Sequence, residues 1–180
     1  MFCKDDYMLV KKLDTSFYVA NTHLINALDL VNGQWLAGKA RGYGIIILSI
    51  NNHTFAVPLR SSIKHQASFP TVGKHGATHK GMDFSKALLI TQPSYISNDV
   101  FKIPPNEYSK IKGKAHYIQS RFEKYVTRYI KAAVTNDAHV LGTLDFAYTT
   151  LVNYHNELGI TQLKLEAAAL ALEAETAEAA

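Results

Sequence analysis

The run Arg60-Ser61-Ser62-Ile63-Lys64-His65 carries the side chains of an anion site. An arginine grips a phosphate through two donors, and a lysine adds a mobile charge. Two hydroxyls and nearby backbone amides add hydrogen bonds, and a histidine exchanges a proton near neutral pH. The competing reading is a turn whose serines satisfy their own backbone and whose bases face water. A second group is Lys74, His75, His79, Lys80 and Asp83. His75 and His79 have metal-ligand spacing for a helix, but Gly76 and Gly81 argue against a helix and no further ligand has the spacing, so no metal site is expected. Asp83 can cap or brace a loop, and Ser85 and Lys86 can face a phosphate. A third group is Lys39, Arg41 and Tyr43, just before an apolar run.

Such a patch has the equipment of a nuclease that needs no metal or cofactor. RNA brings its own nucleophile, the 2′-hydroxyl. The protein must help deprotonate it, stabilise a phosphorane and protonate the leaving 5′-oxygen. Ser, Lys, Arg, Tyr and His can divide those roles. The expected products are a 2′,3′-cyclic phosphate and a 5′-hydroxyl.

The elements that must position these residues follow from periodicity. Residues 7–13 read as a short strand, and 16–31 as a helix with Phe17, Ala20, Leu24 and Leu28 near helical spacing and Thr15 or Ser16 as cap. Residues 32–42 read as a loop. YGIIILSI (43–50), Asn51-Asn52 and HTFAVPLR (53–60) read as an antiparallel hairpin, with Pro58 at an edge or bulge because it lacks a donor. That pairing brings Arg41–Tyr43 toward Arg60–Ser62. Residues 61–82 read as a long polar loop, and 83–91 as a strand. A short helix is expected near Asn106 or Glu107, the clearest helix over 114–134, and another over 143–157. In the 114–134 helix Ile118, Phe122, Tyr125, Tyr129 and Ile130 share one face, and Arg121, Lys124 and Arg128 make the remainder basic. The sum is an α+β chain with an antiparallel or mixed sheet surrounded by helices, not a doubly wound one. Residues 1–160 read as one domain and 161–180 as an Ala/Glu-rich helical tail.

The chain of 180 residues carries 19 basic and 15 acidic side chains, a formal charge of +4. Residues 165–180 hold four glutamates and no base, which leaves 19 against 11, or +8, on the rest. Such a body favours a polyanionic partner. Ten tyrosines against one tryptophan suit both a core and base stacking. The lone Cys3, the absence of a secretory pattern and of any long apolar run lead to the expectation of a reduced, cytoplasmic protein with no membrane partner. No helix-turn-helix segment points to a DNA-binding regulator.

GYGIIILSINNHTFAVPLRSSIKH, followed by THKGMDFSKALLI and the basic, tyrosine-rich HYIQSRFEKYVTRYIK, resembles the ToxN/AbiQ/TenpN/CptN group of type III toxins, with the CptN-like branch nearest. The resemblance spans roughly residues 5–155. It implies an endoribonuclease with a strongly twisted antiparallel sheet similar to the Kid/MazF toxin fold. It also implies a small repeated pseudoknot RNA antitoxin, which the toxin cuts and then holds in closed assemblies of two or three copies, and a role in abortive phage defence against cellular or phage RNA. Ser61 matches the family's hydroxyl after the strand and Lys64 the following base, with Ser62 and Ile63 intervening. Arg60 stands where some members have threonine. Tyr43, with Lys39 or Arg41, matches the aromatic and basic positions of the earlier strand, and Asp83 and Ser85 match the second motif. The roles implied are Ser61 on the phosphate or 2′-hydroxyl, Lys64 and Arg60 on the phosphorane, and His65 or Tyr43 in proton transfer. Ser62, Lys80, Lys86, Arg121, Lys124 and Arg128 are the expected further RNA contacts. The alternative is a non-catalytic RNA-binding protein on the same basic surface.

Overall fold

The computed structural model describes residues 8–36 and 44–178. Strand β1 (Val10–Lys11) leads to helix α1 (Thr15–Ala20), which Asp14 caps by accepting from the Ser16 amide at 2.9 Å. The helix ends at Asn21, whose side-chain amide donates to the Phe17 carbonyl at 2.8 Å. The helix expected over 16–31 is therefore one and a half turns long. Asn26, Asp29 and Asn32 hold φ of 60°, 61° and 49°, left-handed angles that no right-handed helix contains. Asn32-Gly33 instead turns a hairpin between β2 (Leu30–Val31) and β3 (Gln34–Trp35). Trp35 pins that hairpin to α1, with its indole N–H on the Tyr18 carbonyl at 2.7 Å.

The main sheet grows from β4 (Ile45–Ile50) and β5 (His53–Ile63), joined by Asn51 and Asn52 at φ of 48° and 66°. This hairpin is the one expected, but β5 runs three residues further, through Ser61 to Ile63. The remaining strands are β6 (Ser68–His75), β7 (Thr78–Asp83) and β8 (Leu88–Ile90). The order is β1-β4-β5-β7-β6, with β8 also on β5, and each pairing is antiparallel. Pro58 lies inside this central strand, not at an edge or simple bulge. The Leu59 amide donates to Gly44, so odd-numbered amides of β5 face β4 and even-numbered ones face the other side. On that side β5 pairs with β8 up to Ala56 and with β7 from Leu59 onward. Pro58 sits at the changeover, where no donor is required.

The β6–β7 hairpin replaces the polar loop expected over 61–82. Several of its buried positions are polar, beside the apolar Phe69 and Met82, which blurred the alternation. Ser68, Thr71, His79 and Asp83 are buried and bonded: Ser68 Oγ lies 2.7 Å from His79 Nε2, and Thr71 donates to Glu107 at 3.0 Å. Gly81 pairs with both Arg60 and Pro70. A Cβ there would collide with the Phe69 carbonyl oxygen and stand 2.8 Å from Pro70 Cα. Gly81→Ala is expected to destabilise the protein by about 1–3 kcal/mol through overpacking, measured as a lower urea midpoint at unchanged slope.

Beyond β8 come α2 (Pro105–Ile111), α3 (Ala115–Val134), α4 (Ala138–Leu141) and α5 (Ile160–Glu178). As the periodicity predicts, α3 buries Ile118, Phe122, Tyr125 and Tyr129, while Ile130 is half-buried. Phe122 meets Phe55 and Phe84 with ring centroids at 5.4 Å, tying the helix to the sheet. The helix expected over 143–157 is not continuous. Residues 143–149 turn irregularly, and a short 3-10 helix occupies Thr150–Tyr154. Asp145 points its carboxylate at the Gln66 and Ala67 amides, and Thr149 caps the 3-10 helix. Ile160 is buried at the start of α5, and Leu165, Leu170 and Leu172 further along are exposed. Among the described residues no helix is long and apolar enough to cross a membrane.

Candidate functional site

At the end of β5 the register shifts between Arg60 and Ile63, and Ser62 takes φ of 62°. Left-handed serine is uncommon and costs backbone energy. The extra residue returns Ile63 to the core and sends the two serines to different places. Arg60, Ser62, Lys64 and His65 line a cavity of about 360 Å³ with Ser85, Lys86, Leu144 and Tyr148. Ser61 opens instead into a neighbouring pocket of about 190 Å³, which Arg60 also lines.

Asp83 forms the base of this arrangement and is wholly buried. Its Oδ2 accepts from Arg60 at 2.8 Å, and its Oδ1 accepts from the Ser85 hydroxyl at 2.6 Å and the Ser85 amide at 3.0 Å. His65 Nε2 lies 3.2 Å from both Asp83 Oδ1 and Ser85 Oγ. Because the Ser85 hydroxyl donates to Asp83, the network assigns the imidazole hydrogen to Nε2. Nδ1 is buried without a hydrogen bond, 4.0 Å from Asp145 Oδ1. Burial pushes the Asp83 carboxyl up, but bonds from His65, Ser85 and Arg60 outweigh it and hold the group below its ordinary range.

Lys86 reaches across the cavity wall. Its ammonium donates to the carbonyls of Asn26 at 2.8 Å and Tyr148 at 2.6 Å. Burial, and to a smaller degree Arg60, lowers its pKa, against the opposing pull of Asp83. Lys64 and Tyr148 are exposed at the cavity mouth. Lys80 stands on the other side of Arg60, 3.9 Å from Glu107. Of the basic helix residues, Arg121 lies over the Tyr117 ring at 6.0 Å and Arg128 over Phe146 at 5.6 Å, and Lys124 is exposed. Phe146 belongs to the same irregular segment that supplies Leu144 and Tyr148 to the cavity.

The β4–β5 register runs as expected as far as Gly44, whose carbonyl accepts from Leu59. Lys39, Arg41 and Tyr43 lie outside the described residues. Among the described residues no group of three or more His, Cys, Asp or Glu is placed to hold a metal ion. Sequence reasoning missed Asp145, Tyr148 and Glu107. The first two were assigned to a regular helix, and nothing in the sequence places Glu107 beside Lys80. Comparison with models of known protein families, with curated proteins and with solved structures gives no match.

Proposed function

We propose that this chain is an endoribonuclease of the type III toxin kind, with the cavity at the end of β5 as its active site. The observation that carries the reading is the gathering of Arg60, Lys64 and Lys86 around one cavity with the Ser62 and Ser85 hydroxyls and the exposed Tyr148 ring. The exposed Lys64, the Ser62 hydroxyl and the donors that Arg60 and Lys86 keep beyond their bonds to Asp83 and the Asn26 and Tyr148 carbonyls suit a phosphodiester, and an exposed ring at the rim suits a base. In this reading Arg60 and Lys64 stabilise the phosphorane, and Ser61 and Ser62 orient the phosphate from either side of Arg60. Tyr43 or His65 takes part in proton transfer. The antitoxin is a small repeated pseudoknot RNA, held in a closed assembly. The structure supplies an antiparallel sheet with surrounding helices, and a Kid/MazF-like arrangement of them is part of the proposal.

The test is to incubate the purified, RNA-free protein with labelled RNA in the presence of a chelator and to identify the product ends. Cyclic phosphate and 5′-hydroxyl ends support the reading; 5′-phosphate ends, or equal cleavage of DNA, defeat it. One observation favours the non-catalytic RNA-binding alternative. His65 has one nitrogen engaged with Asp83 and Ser85 and the other buried, so it offers a substrate no free nitrogen in this arrangement. Tight, salt-sensitive RNA binding without cleavage would select that alternative.

Both readings give the basic face of α3 the same task. Changing Arg121, Lys124 and Arg128 together to glutamate is expected to weaken RNA binding and to flatten the salt dependence by about two units in the log–log slope. Filter binding across a salt series measures this; an unchanged slope would leave that face merely solvated.

A further inference from the structure

We infer that the smaller pocket beside Arg60 is a guanine-binding subsite, with Glu107 and Lys80 reading the base. The inference rests on the ribonuclease reading for its biological sense, since it names the nucleotide that flanks the attacked phosphate. The pocket of about 190 Å³ has room for a single base. Leu59, Phe101 and Ile103, all half-buried, give it an apolar lining against which a ring can lie. Of its polar groups, Thr71 and Lys80 both meet Glu107. Glu107 comes from α2, with its side chain only 14% exposed, and Lys80 from β7.

The pattern of donors and acceptors selects the base. The buried Thr71 hydroxyl donates to Glu107 Oε2 at 3.0 Å and so fixes the carboxylate plane. Lys80 Nζ lies 3.9 Å from Oε1, a loose contact from a side chain that is 55% exposed. A base edge entering here meets a carboxylate beside an ammonium. Guanine alone presents two adjacent N–H groups, N1–H and the 2-amino group, next to an acceptor, O6. The two donors match Glu107 and O6 matches Lys80. Adenine and cytosine can place one amino hydrogen on Glu107 and a ring nitrogen on Lys80, and uracil one N–H and one carbonyl, so each makes two such contacts where guanine makes three, with both of its donors on the carboxylate. Single-stranded RNA is read on this edge when its bases are splayed out. Arg60 lines both this pocket and the larger cavity, so a phosphate on Arg60 joins a base in one to the reaction in the other.

Calorimetric titration of the 180-residue chain with guanosine, inosine, adenosine, cytidine and uridine 5′-monophosphates tests this. Guanosine monophosphate is expected to bind about tenfold or more tighter than the adenosine, cytidine and uridine nucleotides, the discrimination of a good bidentate contact. Inosine monophosphate, lacking only the 2-amino group, should fall between. Glu107→Gln should erase the guanosine preference, and Lys80→Met should weaken guanosine and inosine nucleotides alike while keeping their ratio. Equal affinity for all five, or an undiminished guanosine preference in Glu107→Gln, overturns the inference. Should Glu107→Gln not fold, as judged by thermal melting, the guanosine-to-inosine ratio in wild type and Lys80→Met decides. The same samples are assayed for cleavage. Guanosine preference without cleavage keeps the subsite and defeats the ribonuclease; cleavage without guanosine preference does the reverse.

Discussion

Asp83→Ala is expected to lower the unfolding free energy by about 3 kcal/mol, the lower part of the range for breaking a buried charge pair. The carboxylate is wholly buried and holds Arg60, His65 and Ser85, which come from two separate stretches of chain. Removing it leaves a guanidinium whose side chain is one-third exposed and can partly rehydrate, which keeps the loss away from the upper limit. Asp83→Asn should cost nearly as much, because an amide turns its NH2 toward either Arg60 or the Ser85–His65 pair, all of which donate. The sign with pH follows from the lowered pKa. A depressed carboxylate stabilises the fold above its unfolded value, about 3.9, and that contribution disappears as pH falls through the lower folded value. Urea denaturation from pH 7 down to pH 3 measures both effects. Wild type should lose stability toward acid more steeply than Asp83→Asn, and a loss below about 1 kcal/mol at pH 7 would show the network to be incidental.

What was legible in the sequence was what obeys periodicity. The β4–β5 hairpin announced itself through four consecutive large aliphatic or β-branched residues and two turn asparagines, and α3 through its apolar face at three- and four-residue spacing. The failures have a common cause. Where buried positions carry polar side chains satisfied by distant partners, hydrophobic alternation vanishes. The β6–β7 hairpin buries Ser68, Thr71, His79 and Asp83, and so read as a loop. Where an apolar pattern is overruled by backbone geometry, the opposite error follows: Leu24 and Leu28 have helical spacing, but Asn26 and Asp29 turn left-handed between and after them. The site shows both effects. Arg60, Lys64 and His65 were singled out by residue type and Asp83 and Ser85 by a short motif, but the hydrogen bonds that join Asp83 to Ser85, Arg60 and His65 were not read from either. That Ser61 and Ser62 part company depends on one left-handed residue. That Tyr148 and Glu107 border the two cavities, and that Asp145 stands behind His65, depends on contacts between segments 36 or more positions apart.

Lys64→Ala is expected to reduce RNA cleavage by about 10²–10³-fold, the loss that follows removal of one charge-stabilising donor from a transition state, with no change in melting temperature. The side chain is exposed at the cavity mouth, so its removal leaves no hole and no buried partner. On the proposed ribonuclease reading its charge is needed only when the phosphorane forms, so the loss would belong in kcat as much as in kcat/KM. Lys64→Arg keeps the charge but alters reach and geometry, and should restore only part of the rate. Ser61→Ala provides the contrast. Ser61 opens into the pocket across Arg60, where the flanking nucleotide would lie, so its loss should raise KM more than it lowers kcat. Ser62→Ala, on the Lys64 side, should show the reverse split. Single-turnover cleavage of one defined RNA by the three variants separates binding from chemistry. A Lys64→Ala protein that cleaves at the wild-type rate would move the reacting phosphate out of the larger cavity. A Ser61→Ala protein losing all its kcat while Ser62→Ala keeps it would place that phosphate on the Ser61 side of Arg60.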